Sequence, residues 1–144
     1  MSNFLLSGNS KNPFHLSVSP VIIRNGKVIY LHKSNGSYTL PRETIYLNES
    51  ILEGLIRGSN EELGFNIEVK RYLGSLKTEF TREGESVIIE KTTLYFEVSI
   101  ISSVNKKLED DEAGDNVLES TIEEVIKKLK ESKNIEYKIL ESFV

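Results

Sequence analysis

LPRETIYLNESILEGLIRGSNEELGF, residues 40–65, is the stretch on which the fold of this chain turns. Ser50 opens a helix there, because Glu53 lies three residues on, the spacing at which each side chain takes the other's backbone N–H in a capping box. Leu52, Leu55, Ile56, Ser59 and Leu63 trace one stripe, and Gly64 suits the left-handed conformation that closes a helix, so the expected helix runs from Ile51 to Leu63. Gly54 and Gly58 sit oddly inside it, since each costs roughly 1 kcal/mol against alanine, which points to packing or history rather than helix propensity as what placed them. Glu61 and Glu62 fall in the last turn, where the helix dipole disfavours negative charge unless a cation compensates. Arg57 stands one turn before Glu61, a pairing worth only about 0.3–0.5 kcal/mol at an exposed site, and a metal ion would offset more.

Upstream, Val21-Ile22-Ile23 and Val28-Ile29-Tyr30-Leu31 flank Arg24-Asn25-Gly26-Lys27, the pattern of a hairpin closed by a tight Asn-Gly turn. Downstream, the β-rich runs Ile67 to Lys77 and Ser86 to Ile101 predict two antiparallel strands joined by Arg82-Glu83-Gly84-Glu85. An acidic loop, Glu109-Asp110-Asp111-Glu112, precedes a second helix that Thr121 and Glu124 open and Ile122, Val125, Ile126 and Leu129 line. Around Ile135 to Phe143 the pattern fits a helical face or an alternating strand equally well.

Composition narrows the chemistry. The 144 residues suit a single domain spanning 1–144, and no apolar run approaches the ~20 needed to cross a bilayer. The stretch before Phe14 has no basic region ahead of its apolar patch and does not resemble a secretory signal, so a cytoplasmic location without a membrane is expected. With no cysteine, a metal site would rest on oxygen ligands and would suit magnesium or manganese. Acidic residues outnumber basic ones 22 to 18, which offers no attraction for nucleic acid but leaves room for a small anionic ligand bridged by metal. His15 and His32, in or beside the first hairpin, read as edge or surface histidines, and Tyr38, Tyr72, Phe80 and Tyr95 are the aromatics available to stack on a base.

Residues 40–65 resemble the box of the Nudix hydrolase superfamily, G-x5-E-x7-R-E-U-x-E-E-x-G-U with U aliphatic. Glu49, Arg57, the pair Glu61 and Glu62, Gly64 and Phe65 keep every spacing, and Leu40-Pro41 precedes the box as in many members. The resemblance extends over roughly residues 15 to 130. It implies an α+β Nudix fold, an α/β/α sandwich around a central mixed β-sheet. It also implies cleavage of a diphosphate bond in a nucleoside diphosphate linked to another moiety, with Mg2+ or Mn2+. By the same resemblance Glu61 and Glu62 bind metal, Glu49 and Arg57 organise them, and a later glutamate, here Glu112, serves as ligand or base; Glu90 and Glu97 are weaker matches. Homodimers are common among such proteins.

Three positions depart from the pattern. Glu43 replaces the first glycine of the box, Gly58 the glutamate after the arginine, and Ser59 the aliphatic residue. The glutamate absent at 58 is one of the family's metal-binding carboxylates. Glu53 cannot replace it, being engaged as a cap about 13 Å from Glu62 along the axis. Glu43 reads either as a substitute ligand or as a solvated loop residue. The departures open an alternative function, a non-catalytic Nudix-fold module that binds a nucleotide or regulates.

Overall fold

The structure is a computed structural model and describes residues 8, 11–81, 84, 86–104 and 115–144. Strands β1 (Phe14–Arg24) and β2 (Lys27–His32) turn through Asn25 and Gly26 at φ 54° and 74°, the left-handed pair that a type I′ turn requires. Their ladder is short, pairing only Ile23 with Val28 and Arg24 with Lys27. Below the turn β1 leaves its partner and runs parallel to β6 (Ile89–Ser103) from Phe14 to Ile22, while β4 (Glu43–Thr44) pairs antiparallel along its other edge at Ser17 and Val18. The strand β5 (Phe65–Phe80) lies antiparallel on β6. On the far side β2 carries β3 (Tyr38–Thr39) and β7 (Asn116–Thr121). One parallel pair among antiparallel ones makes the sheet mixed.

Both faces of β1 are buried, and its alternation sorts the core into two layers. Val18 and Ile22 pack with Ile45, Leu55, Leu63, Phe96 and Val98 beneath helix α1 (Ile51–Gly58). Val21 packs with Tyr95, Leu40, Val125, Leu129 and Leu140 beneath α2 (Ile122–Glu131) and α3 (Tyr137–Glu141). The α/β/α sandwich expected from the resemblance is therefore present. Leu40 belongs to one layer and Ile45 to the other, so the segment between them threads the opening between β1 and β2 and carries the box loop across the sheet. The tail resolves as the helix α3, and Thr121 caps α2 by accepting the Glu124 N–H at 3.3 Å. No helix among the described residues is long and apolar enough to cross a membrane.

Helix α1 departs from expectation in length and in orientation. The capping box forms as read, with Glu53 N–H to Ser50 Oγ at 3.0 Å and Ser50 N–H to Glu53 Oε1 at 2.7 Å. The α-helix stops at Gly58, however, and Ser59–Leu63 form a wider π turn closed by Gly64 at φ 75°. The Ser59 hydroxyl donates to the Leu55 carbonyl at 2.9 Å, the kind of back-bonding that loosens a helix at this point. Leu52 and Ile56 are 46% and 45% exposed, so they do not share the buried stripe. The buried face is instead Gly54, Leu55, Gly58, Ser59 and Leu63, and the glycines explain why. A Cβ at Gly54 would stand 2.5 Å from Ile45 Cδ1 and 3.0 Å from Glu49 Oε1, so a larger residue there would have to push the ends of those two side chains aside.

Candidate active site

The box loop and the turn after α1 bring three carboxylates, Glu43, Glu49 and Glu61, around one guanidinium. Arg57 donates from Nε to Glu49 Oε2 at 3.0 Å and from one terminal nitrogen to Glu49 Oε1 at 2.7 Å, a forked pair. The same nitrogen reaches the Thr44 carbonyl at 2.9 Å, and the other donates to Glu61 at 2.9 Å and stands 3.6 Å from Glu43. The guanidinium carbon lies 4.0 Å from the centre of the Tyr46 ring, so stacking fixes the plane from which these bonds radiate. Glu49 also accepts the Tyr46 N–H at 2.9 Å, and its pairing with Arg57 holds its carboxyl below the usual range.

Glu62 is exposed on the turn and lines a narrow pocket with Arg42, Glu43, Gly58 and Ser59. Burial, and then the charge of Glu62, push the Glu43 carboxyl up to about 7, against the pull of Arg57. Two cations, Arg57 and Arg42, beside four carboxylates still leave the cluster in negative excess, the condition that a divalent ion relieves. Among the described residues no three carboxylate or histidine side chains are already gathered as ion ligands; Glu43, Glu49 and Glu61 are instead turned toward Arg57. The oxygen-only donor set nonetheless suits a hard cation.

On the other side of the box loop lies a polar pocket of ≈340 Å³, lined by Lys33, Tyr38, Thr39, Arg42, Thr78 and the turn 132–135. Arg42 borders both pockets. Burial, and then the charge of Arg42, push the nearby Lys91 amine down to about 8, with Lys33 acting in the same direction and Glu136 against it. A group whose folded pKa lies below its unfolded value of about 10.4 destabilises the fold while charged in both states, and the penalty lifts as the pH rises between those values. Lys91→Met should therefore stabilise the protein at pH 7 by about 1 kcal/mol, a figure discounted for partial exposure, with the advantage shrinking from pH 8 to 10 in thermal melts.

Beneath this pocket sits a residue that sequence reading passed over. Glu136 is 2% exposed and accepts from the Leu40 N–H at 2.9 Å, the Thr39 hydroxyl at 3.1 Å, the Asn134 amide at 2.9 Å and the Tyr95 hydroxyl at 2.5 Å. Burial and this neighbouring carboxylate hold the Tyr95 phenol well above its ordinary range, so it stays a donor. Glu136 thus ties α3 to the segment that enters the box. In sequence it is one of two acids in an ambiguous tail, and only the apolar residues around it, Ile135 and Ile139, hinted at burial.

The sequence of a NUDIX domain, taken as a family model, matches residues 13–143. The chain belongs to the Nudix family. Solved structures share the fold of this Nudix domain. A MutT protein from Methanosarcina mazei Go1 is 21% identical at a TM-score of 0.66, with 91% of this chain and 93% of that one covered. A UDP-X diphosphatase is 16% identical at 0.62, and an ADP-ribose pyrophosphatase from Streptococcus suis 89-1591 is 15% identical at 0.50. The match covers 90% of this chain and 64% of the first of these, and 65% of each chain for the second, so this Nudix domain spans a little under two thirds of both relatives. By sequence, no curated protein matches it.

The structure brings Glu49, Arg57 and Glu61 into contact and sets Glu62 beside Glu43; Glu112 lies outside the described residues. Glu97 is engaged by Arg71 at 2.8 Å and Glu90 by Lys77 at 3.0 Å, both away from the Nudix cluster. His15 accepts the Gly8 N–H and contacts Thr44, and His32 stacks on Tyr38 with ring centroids 4.5 Å apart. Of the four aromatics, Tyr38 alone lines the polar pocket. Tyr72 packs on Phe96, Phe80 on His15, and Tyr95 is buried on Glu136.

Proposed function

We propose that this Nudix domain hydrolyses the diphosphate bond of a nucleoside diphosphate linked to another moiety, with Mg2+ or Mn2+ held by Glu61 and Glu62. The observation that carries this reading is Arg42, which lines both the pocket beside the carboxylate cluster and the polar pocket that Lys33 and Lys133 also line. An anionic substrate in that pocket would meet cations on one side and reach the carboxylates on the other. A divalent ion bound there would neutralise phosphate charge, acidify water and stabilise the departing oxygen. Arg57 fixes Glu49 and Glu61 in place, Tyr38 offers a ring at the pocket, and Glu112 is the candidate base from the acidic segment. The diphosphate substrates named for the UDP-X diphosphatase and the ADP-ribose pyrophosphatase agree with this class.

A second reading, a nucleotide-binding or regulatory module without turnover, draws on Gly58 and the carboxylate it lacks. Purified protein assayed with Mg2+ or Mn2+ against ADP-ribose, dinucleoside polyphosphates and nucleoside triphosphates separates the two. Turnover on at least one of these, lost on chelation, is expected. Binding without turnover on the whole panel would leave the module as the better account.

A further inference from the structure

We infer that Glu43 supplies, from the loop, the metal-binding carboxylate that position 58 lacks, so that Glu43, Glu61 and Glu62 form the divalent-ion site. The inference rests on the proposed function only in assuming that the domain binds such an ion. Two positions that look like independent losses in the sequence are in contact in the fold. A Cβ built on Gly58 would stand 2.6 Å from Glu43 Cβ and 2.7 Å from its Cγ. These are not atoms at the free end of a flexible chain, because β4 holds the Glu43 backbone against Val18 of β1. With a side chain at 43, residue 58 has to be glycine.

The displaced group is also replaced in kind. Glu43 Oε2 lies 3.4 Å from that same Cβ position, about as far as a glutamate's own carboxylate oxygens stand from its Cβ. Glu43 lines the groove together with Glu62, and its Oε2 is 3.6 Å from the Arg57 guanidinium that also holds Glu61. The space a Cβ at 58 would take is thus filled by the methylenes of Glu43, which end in the same charged group at the distance a glutamate at 58 would hold its own. Glu43 as a solvated loop residue fits poorly with this, since its side chain is only 21% exposed.

Mn2+ binding, read by calorimetry and by the electron paramagnetic signal of free Mn2+, tests the exchange without requiring turnover. Glu43→Gln, checked for folding by its melting curve, is expected to weaken Mn2+ about tenfold or more. Gly58→Glu alone should melt lower than wild type because it overfills the slot. The reversed pair, Glu43→Gly with Gly58→Glu, should recover the melting temperature and bind Mn2+ within about threefold of wild type. The inference is overturned if wild type binds no Mn2+, if Glu43→Gln binds as wild type does, or if the reversed pair binds no better than Glu43→Gly alone. Mn2+ binding that follows these expectations without turnover on any substrate would sink the hydrolase reading and leave the exchange standing.

Discussion

Glu62→Gln is expected to lower metal-dependent turnover about 100-fold or more while leaving the melting temperature unchanged or slightly raised. Glu62 is exposed, and among the described residues it makes no hydrogen bond or ion pair; its charge instead presses on Glu43. A neutral amide there costs the fold nothing and removes a like-charge repulsion, while the ion loses a charged ligand, which should exceed the 10- to 100-fold typical of supporting residues. Arg57→Lys makes the contrast. One ammonium cannot span Glu49, Glu61 and the Thr44 carbonyl as the planar guanidinium does, so that variant should lose both stability and rate. Steady-state kinetics and thermal melts on the two proteins give the comparison. A Glu62→Gln protein that turns over like wild type would remove Glu62 from the site.

Glu136→Leu should carry the largest loss of stability in the molecule, about 3 to 5 kcal/mol by denaturant titration. Leucine is of similar bulk but accepts nothing, which strands the Leu40 N–H and the Tyr95 hydroxyl and leaves the Thr39 hydroxyl and the Asn134 amide with their carbonyl acceptors alone. Each buried donor left without a partner costs about 1–3 kcal/mol, and the total is less than the sum because Thr39 also donates to the Leu40 carbonyl at 2.7 Å. Glu136→Gln keeps an acceptor and should lose less. If Glu136→Leu melts like wild type, α3 does not anchor the box loop.

Local signals were the readable ones. The Asn25-Gly26 turn, the Ser50 and Thr121 caps and Gly64 are each decided within a few residues, and the structure shows each of them. What escaped was set by distant partners. Strand β7 is four-sixths exposed and exists because β2 offers it an edge, so its own pattern carries little period. Leu52 and Ile56 have the spacing of buried residues, and only the position of the loop that crosses α1 turns them outward. Gly54 and Gly58 were visible as anomalies, but their cause, the side chains of Ile45, Glu49 and Glu43, lies outside the helix. Lys33, Arg42 and Lys91 come from three separate segments, and no spacing links them.

The contact between residues 43 and 58 also bears on how such a chain can change over generations. Starting from glycine at 43 and glutamate at 58, a single step at 43 puts two side chains in one volume, and a single step at 58 empties it. Either intermediate is worse than both ends, so the two substitutions would tend to be inherited together. Taken one at a time the two positions are two defects, whereas taken as a pair they are one filled slot.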